Sequence, residues 1–229
     1  MITAWSLSRL KIFEQCPARA KLQFSDKIGY DNSTTSEQKR LRGIVVHEGA
    51  EKFVTGETDK LPTELNAFKA ELAHLRSLYD VGCVLTEDDW AFDADWQPTT
   101  WNSPTAWLRL KLDAIVFDKR DPTHAVVIDY KTGRRAGNEI SHREQGILYA
   151  VTAMLRHPEL ELVTVEFWYV DKDELTSREV RRSELPGFIK NFERRGHALT
   201  SAESFPATPS QHACRWCPYR HTPHCSAGL

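Results

Sequence analysis

A chain of 229 residues with 41% hydrophobic and 10% aromatic content is long enough to bury the core of one ordinary domain with a small appended module. Its formal net charge of -2 gives no global attraction to a polyanion, so any such partner has to be held by local basic patches or through bound cations. No run approaches the roughly 18 apolar residues of a membrane span, and the opening MITAWSLSRLKIFEQC lacks a signal-peptide core, so a cytoplasmic protein with no membrane partner is expected. In a reducing compartment its five cysteines read as metal ligands or buried thiols rather than disulfides.

Along the chain, Leu7, Leu10, Phe13 and Leu22 mark a helical face from Ser6 to about Leu22, broken by Pro17 into two short pieces. A polar run from Asp31 to Gln38 leads into a helix over Leu41–Phe53 that carries His47. The stripe Leu65, Phe68, Leu72, Leu75 and Leu78 predicts a third helix, Thr63 to Tyr79, with the spacing of plain core packing. From Trp90 to Asp129 the texture becomes β-rich in the runs AFDADW, WLRLKLDAIVF and AVVIDY, separated by Asn102-Ser103-Pro104 and Asp121-Pro122. A helix over Ser141–Arg156, a strand LVTVEFWYV and a helix from about Leu185 to Leu199 follow, giving the order β-β-β-α-β flanked by helices. The last twenty or so residues are rich in Pro, Cys and His and resemble a small metal-held tail. No GxxxxGK[ST] motif occurs, so a P-loop motor is excluded.

The run AVVIDYKTG buries Val126, Val127 and Ile128 and then presents Asp129 and, two residues on, Lys131. Side chains at i and i+2 of a strand share a face. The preceding strand supplies Asp113 within the apolar run RLKLDAIVF, so three charges converge at an apolar strand end. A divalent cation between the two carboxylates would offset their burial; an ordinary cross-strand ion pair of Asp113 with Lys131, with Asp129 in the turn, is the plainer alternative. Glu87, ahead of the first strand, is a further candidate carboxylate, unless EDD is simply a loop. Basic groups stand at Lys39-Arg40 with Arg42, Arg134-Arg135, Arg181-Arg182 and Arg194-Arg195. Each reads equally well as a solvated surface, and only Arg134-Arg135, beside the acidic cluster, carries weight alone.

The segments LRLKLDAIVF, VVIDYKTG and QGILYA, in that order, resemble the motifs of RecB-like nucleases of the PD-(D/E)XK superfamily, a group that includes CRISPR-associated spacer-acquisition nucleases and phage and bacterial recombination exonucleases. The resemblance implies an α/β (α+β) restriction-endonuclease-like core, a mixed central sheet flanked by helices. It implies Asp113 and Asp129 as ligands of Mg²⁺ or Mn²⁺, Lys131 as catalytic, and His47 in RGIVVH as an added ligand. Gln145 and Tyr149, i and i+4 on one helix face, become a supporting catalytic pair near the DNA backbone; otherwise they are a solvated glutamine and a core tyrosine. Asp129 stands where Glu is commoner in the superfamily, although IDYKTG is usual in this branch.

Cys83 in VGCVL reads as a buried structural thiol. Cys16, Cys214, Cys217 and Cys225 match the pattern of the RecB-like nucleases that carry a [4Fe–4S] cluster, with one N-terminal and three C-terminal thiolates stapling the chain ends. The rival is a local zinc site of Cys214, Cys217, Cys225 and His221 or His224, which leaves Cys16 out. On the resemblance the chain is one nuclease domain, 1–229, with a helical part to 85, a catalytic core over 86–199 and a Cys-rich tail over 200–229. It implies a DNA nuclease, an exonuclease on duplex ends or single strands, in recombination, repair, or phage or CRISPR processing, with a recombination or CRISPR-type protein partner. The alternative is a metal-stapled DNA-binding subunit that does not cut. A redox protein lacks any flavin or nicotinamide fingerprint. Seven tryptophans, Trp216 among them, could stack bases, with core packing the commoner role.

Overall fold

Hydrophobic spacing and turn residues translate into an alternation of helix and strand. The computed structural model describes residues 1–30, 34–133 and 135–229, of residues 34–36 the backbone alone; Arg134 and the start of the polar run at Asp31 lie outside these. The helices are α1 (Leu7–Gln15), α2 (Pro17–Ala20), α3 (Thr34–Val54), α4 (Lys69–Asp80), α5 (Glu139–Arg156), α6 (Leu185–Thr200) and α7 (Gln211–Arg215). The strands are β1 (Val84–Phe92), β2 (Pro98–Thr99), β3 (Leu108–Phe117), β4 (His124–Lys131), β5 (Leu162–Tyr169) and β6 (Glu174–Arg181), and they form one mixed sheet in the order β2-β1-β3-β4-β5-β6. This is a mixed α/β fold with a six-stranded sheet flanked by helices. Among the described residues no helix is long and apolar enough to cross a membrane.

The chain folds into two compact units. One comprises Gln38–Trp90 and Lys111–Ile189, the other Met1–Glu37, Ala91–Leu110 and Lys190–Leu229. In the first, β4 pairs antiparallel with β3 and parallel with β5, and α5 makes the crossover that a parallel pair requires. Its core gathers Val46, Ala50 and Phe53 of α3 with Leu72 and Leu75 of α4 and with Ile128 and Trp168 of the sheet. Phe68 stacks on Trp168 at 5.0 Å between centroids. Arg42 of α3 donates to the Thr132 carbonyl at 3.2 Å and forms an ion pair with Asp171, tying the helix to the end of β4. Arg182 does similar work elsewhere, donating to the carbonyls of Leu160, Met154 and His157. Neither arginine is a solvated patch.

In the other unit Trp5 is fully buried against Trp96, Trp107 and Phe192. Arg195 pairs with Glu14 at 2.6 Å. The tail docks by hydrogen bonds to main-chain carbonyls, with Ala18 N donating to Pro206 O at 3.2 Å and the Thr208 hydroxyl to Gln15 O at 2.9 Å. Most tryptophans are core residues, while Trp216 is exposed with Arg215 over its ring.

Three expectations change. The run AFDADW is not a strand: only Ala91 and Phe92 are, and Asp93 closes a turn by accepting the main-chain N–H groups of Asp95 and Gln97. The first strand instead starts at Val84, so EDD is strand and not loop. A sixth strand, β6, was unforeseen because ELTSREVR buries little beyond Val180, as an edge strand with one wet face allows.

Gly49 of α3, two residues from His47, faces Pro62 so closely that an added Cβ would lie 2.8 Å from its Cδ. Gly49→Ala is expected to lose ~1–3 kcal/mol through overpacking, more than the ~1 kcal/mol that Ala adds to a helix interior. Gly187→Ala, in α6 with open space around it, is the control and should not lower Tm. Thermal melts should separate the two by several degrees.

Candidate functional site

The β3/β4 ladder runs to the pair Ala114–Ile128, and the next residue on each strand is a carboxylate, Asp113 and Asp129. Both are buried, at 8% and 2% exposure. Asp129 and Lys131, on one face of β4, meet at 2.6 Å between Oδ2 and Nζ, an ionic contact too poorly directed to be a hydrogen bond, so Oδ2 keeps no hydrogen-bond donor. α5 lays Gln145 and Tyr149 against them. Gln145 accepts from Lys131 Nζ at 2.8 Å and donates to Asp129 Oδ1 at 3.2 Å, while the Tyr149 hydroxyl donates to the same Oδ1 at 3.1 Å. α3, seated by Val46 and Ala50 in the core, brings His47 Nδ1 to 3.0 Å from Asp113 Oδ1. The Tyr130 main-chain N–H occupies Asp113 Oδ2 at 2.8 Å. His47, Asp113, Asp129, Lys131, Gln145 and Tyr149 therefore line one open cavity of about 400 Å³.

Glu87 joins this group. One of its carboxylate oxygens lies within 4.8 Å of a ring nitrogen of His47 and of a carboxylate oxygen of Asp113. Its Oε2 pairs with Lys111 Nζ at 2.8 Å, while the buried Oε1 has no hydrogen-bond partner. The residue sits at φ 48°, in the left-handed region, inside a strand. A non-glycine residue there costs about 1 kcal/mol or more and breaks the alternation of faces. Sequence reasoning could not see that break.

The charges are interdependent. Burial pushes the Asp113 carboxyl up to about 6, Asp129 adds to the push, and His47 and the Tyr130 N–H oppose it. Burial works against a charged His47, but its hydrogen bond to Asp113 and the carboxylate of Glu87 at 3.8 Å, with the field of Asp129, hold it up to about 10. Burial would raise Glu87, yet His47 and Lys111 bring it below the usual range. The Tyr149 phenol, buried beside Asp129, is raised well above its ordinary value, so it remains a donor. The imidazole of His47 and the carboxylates of Glu87 and Asp113 stand close enough together to share one ion, with the carboxylate of Asp129 on the neighbouring strand; nitrogen and oxygen donors of this kind suit Mg²⁺ or Mn²⁺, so the residues present fit a divalent cation.

All five cysteines carry free thiols, and Cys83 is buried. Cys16, Cys214, Cys217 and Cys225 line one small enclosed cavity. Neither His221 nor His224 contributes to its wall, and both are exposed. Burial raises the Cys16 thiol, but the N–H groups of Thr208, Arg19 and Ala18 and the Thr208 hydroxyl outweigh it and bring the thiol below its ordinary value.

At neutral pH a metal-free site holds a proton on His47, which a cation has to displace. Cation affinity is therefore expected to rise with pH, by up to tenfold per unit for the single proton on His47 between about pH 7 and 9, and more steeply below about pH 6 as Asp113 also protonates. Mn²⁺ titration by calorimetry in buffers of different ionisation enthalpy should show about one proton released per ion near pH 8. An affinity flat over that range would count against His47 as a ligand.

The solved structure of the protein SSO0001 superposes with a TM-score of 0.51 at 15% identity, covering 96% of this chain and 84% of its own. A candidate exonuclease from Eubacterium rectale reaches a TM-score of 0.49 at 12% identity over 94% and 86% of the two chains. At such identities a likeness speaks to fold alone. No curated protein matches the sequence. The family model described as PD-(D/E)XK nuclease superfamily matches residues 4–222, and the chain belongs to that superfamily.

Proposed function

We propose that the chain is a RecB-like, Mg²⁺- or Mn²⁺-dependent deoxyribonuclease that acts as an exonuclease on duplex ends or single strands of DNA, in recombination, repair, or phage or CRISPR-type processing. The observation that carries the reading is the buried pair Asp113 and Asp129 converging with His47 and Lys131 on one open cavity, with Glu87 beside His47 and Asp113. His47, Glu87, Asp113 and Asp129 would hold the cation. When bound, it polarises a phosphoryl oxygen and acidifies a water. Lys131 then has one task, to present its ammonium to the attacking water or to a phosphate oxygen. Gln145 and Tyr149 are positioning residues: they take up Oδ1 of Asp129 and the lysine, and so fix which oxygen of Asp129 remains open.

We further propose that Cys16, Cys214, Cys217 and Cys225 hold a [4Fe–4S] cluster that staples α1 and the tail. Four thiols around one cavity support this over a zinc site completed by a tail histidine. The cluster's work is structural, since the Cys16 segment and the tail belong to the same compact unit.

Asp113→Ala and Asp129→Ala are expected to abolish cleavage of end-labelled DNA in Mn²⁺ with the fold kept by circular dichroism. Lys131→Ala should lower kcat by ~10²–10⁴ without loss of Mn²⁺ affinity. Gln145→Ala should cost ~10–100-fold, in the manner of a group that orients a ligand. Wild-type rates from either folded aspartate variant would sink the assignment, and a wild-type protein that binds DNA but never cuts would favour a non-cutting subunit. Closed circular DNA should resist cutting where linear DNA does not.

Cys16→Ser, purified anaerobically, is expected to hold substoichiometric iron and to melt lower, whereas Cys83→Ser keeps full iron with at most a packing defect. A zinc-replete, iron-free Cys16→Ser protein as stable as its parent would favour the local zinc site instead.

A further inference from the structure

A second cavity, of about 340 Å³, lies within the same compact unit, walled by the first two turns of α5 and by β5 and β6. Three guanidinium groups line it, those of Arg135, Arg143 and Arg178. None forms a hydrogen bond or ion pair with a described residue, and Nε of Arg178 is buried without a partner. One carboxylate faces them, that of Glu139, whose Oε2 already accepts the Gly137 N–H at 2.8 Å. Among the described residues the three cations around this hollow have no partner in a protein of net charge -2, and the buried Nε of Arg178 is a donor that is costly to leave unsatisfied unless a ligand meets it.

The cavity adjoins the candidate metal site. His142 lines both hollows. Phe167 forms a wall of the second, and Lys131 Nζ stands 5.3 Å from its ring centroid. The floor is aromatic but closed: Phe167 and Tyr169 are 5% and 1% exposed, and His142 Nδ1 is held by the Tyr169 hydroxyl at 2.8 Å. Gly146 opens the floor, since a Cβ there would meet Phe167 Cε2 and Cζ at 3.3 Å. Bases therefore find no free ring face to stack on, while phosphate oxygens find guanidinium donors.

We propose that this cavity is a phosphate subsite, occupied by the phosphate of the substrate strand next to the scissile one and held by Arg143 and Arg178, with Arg135 at its rim. The proposal rests on the nuclease reading above. It assigns sequence-independent strand binding to charge rather than to base stacking. The same chemistry would hold either an internal phosphodiester or a terminal 5′-phosphate.

The test is fluorescence anisotropy of a 3′-labelled oligo-dT, 5′-phosphorylated or 5′-hydroxyl, on the full-length chain in EDTA over a salt series. The expected result for the Arg143→Gln, Arg178→Gln double variant is affinity at least tenfold weaker, with a salt slope lower by ~1.4, two single-strand contacts at ~0.7 each. Equal losses on both oligonucleotides assign an internal phosphodiester; loss confined to the phosphorylated one assigns the terminal phosphate. Arg120→Gln, on an arginine already paired with Asp118, controls for charge alone. A double variant that melts like wild type and loses no more slope than Arg120→Gln overturns the subsite. Cleavage by the wild-type chain in Mn²⁺ is scored separately, so a protein that cuts while the variants bind normally overturns the subsite alone. One that cuts nothing overturns the nuclease reading.

Discussion

Two carboxylates buried side by side are the constraint around which the larger unit is arranged. Asp113 and Asp129 lie on adjacent strands of an apolar sheet, where burial and Asp129 together raise the energy of the ionised form of Asp113. The surroundings answer charge by charge: His47 and the Tyr130 N–H on Asp113, and Lys131, Gln145 and Tyr149 on Asp129. Glu87, itself paired with Lys111, adds a third acid. The result is a site whose cations do not saturate its oxygens. A divalent ion would answer that residual demand, which is also why removing one partner of such a network is costlier than replacing the whole by apolar groups.

The scaffolding follows from that demand. α3 has to be seated close enough to aim an imidazole at Asp113, which the core contacts of Val46 and Ala50, the close approach of Gly49 to Pro62 and the Arg42 tie to Thr132 together enforce. α5 has to lie on β5 so that Gln145 and Tyr149 reach β4, and Gly146 permits it. The buried Tyr149 phenol, kept protonated, remains a donor to Asp129 throughout the working range. Local backbone choices and site electrostatics are in this sense one problem, solved on rigid elements rather than on loops.

Much of this was legible in the chain itself. Period-2 and period-3.6 patterns located β3, β4, α5, β5 and α6 within a few residues, and the i, i+2 and i, i+4 rules put Asp129 with Lys131 and Gln145 with Tyr149. What escaped has physical reasons. β6 is an edge strand whose burial is confined to Val180, so it carries little hydrophobic signal. Glu87 was named as a candidate carboxylate, but ahead of the first strand; its left-handed backbone inside β1 is a departure that no propensity announces. Arg143 and Arg178 are far apart in sequence and share a cavity only because the β5–β6 ladder and the start of α5 meet there. Arg42, Arg182 and Arg195, read as candidate patches, are consumed by carbonyls and carboxylates.

The segmented make-up of the smaller unit carries a consequence for biogenesis. Its pieces, Met1–Glu37, Ala91–Leu110 and Lys190–Leu229, are interleaved with the other unit along the chain. Every residue of the candidate metal site has been synthesised once Tyr149 is made, whereas the thiol cavity needs Cys16 to wait for Cys225. Closing that long loop is slow and entropically unfavourable until late contacts reward it. During translation the acidic site can therefore assemble while the N-terminal segment still lacks its tail, and the thiol unit completes last. Vectorial synthesis thereby sets a temporal order on two sites that the finished protein carries together.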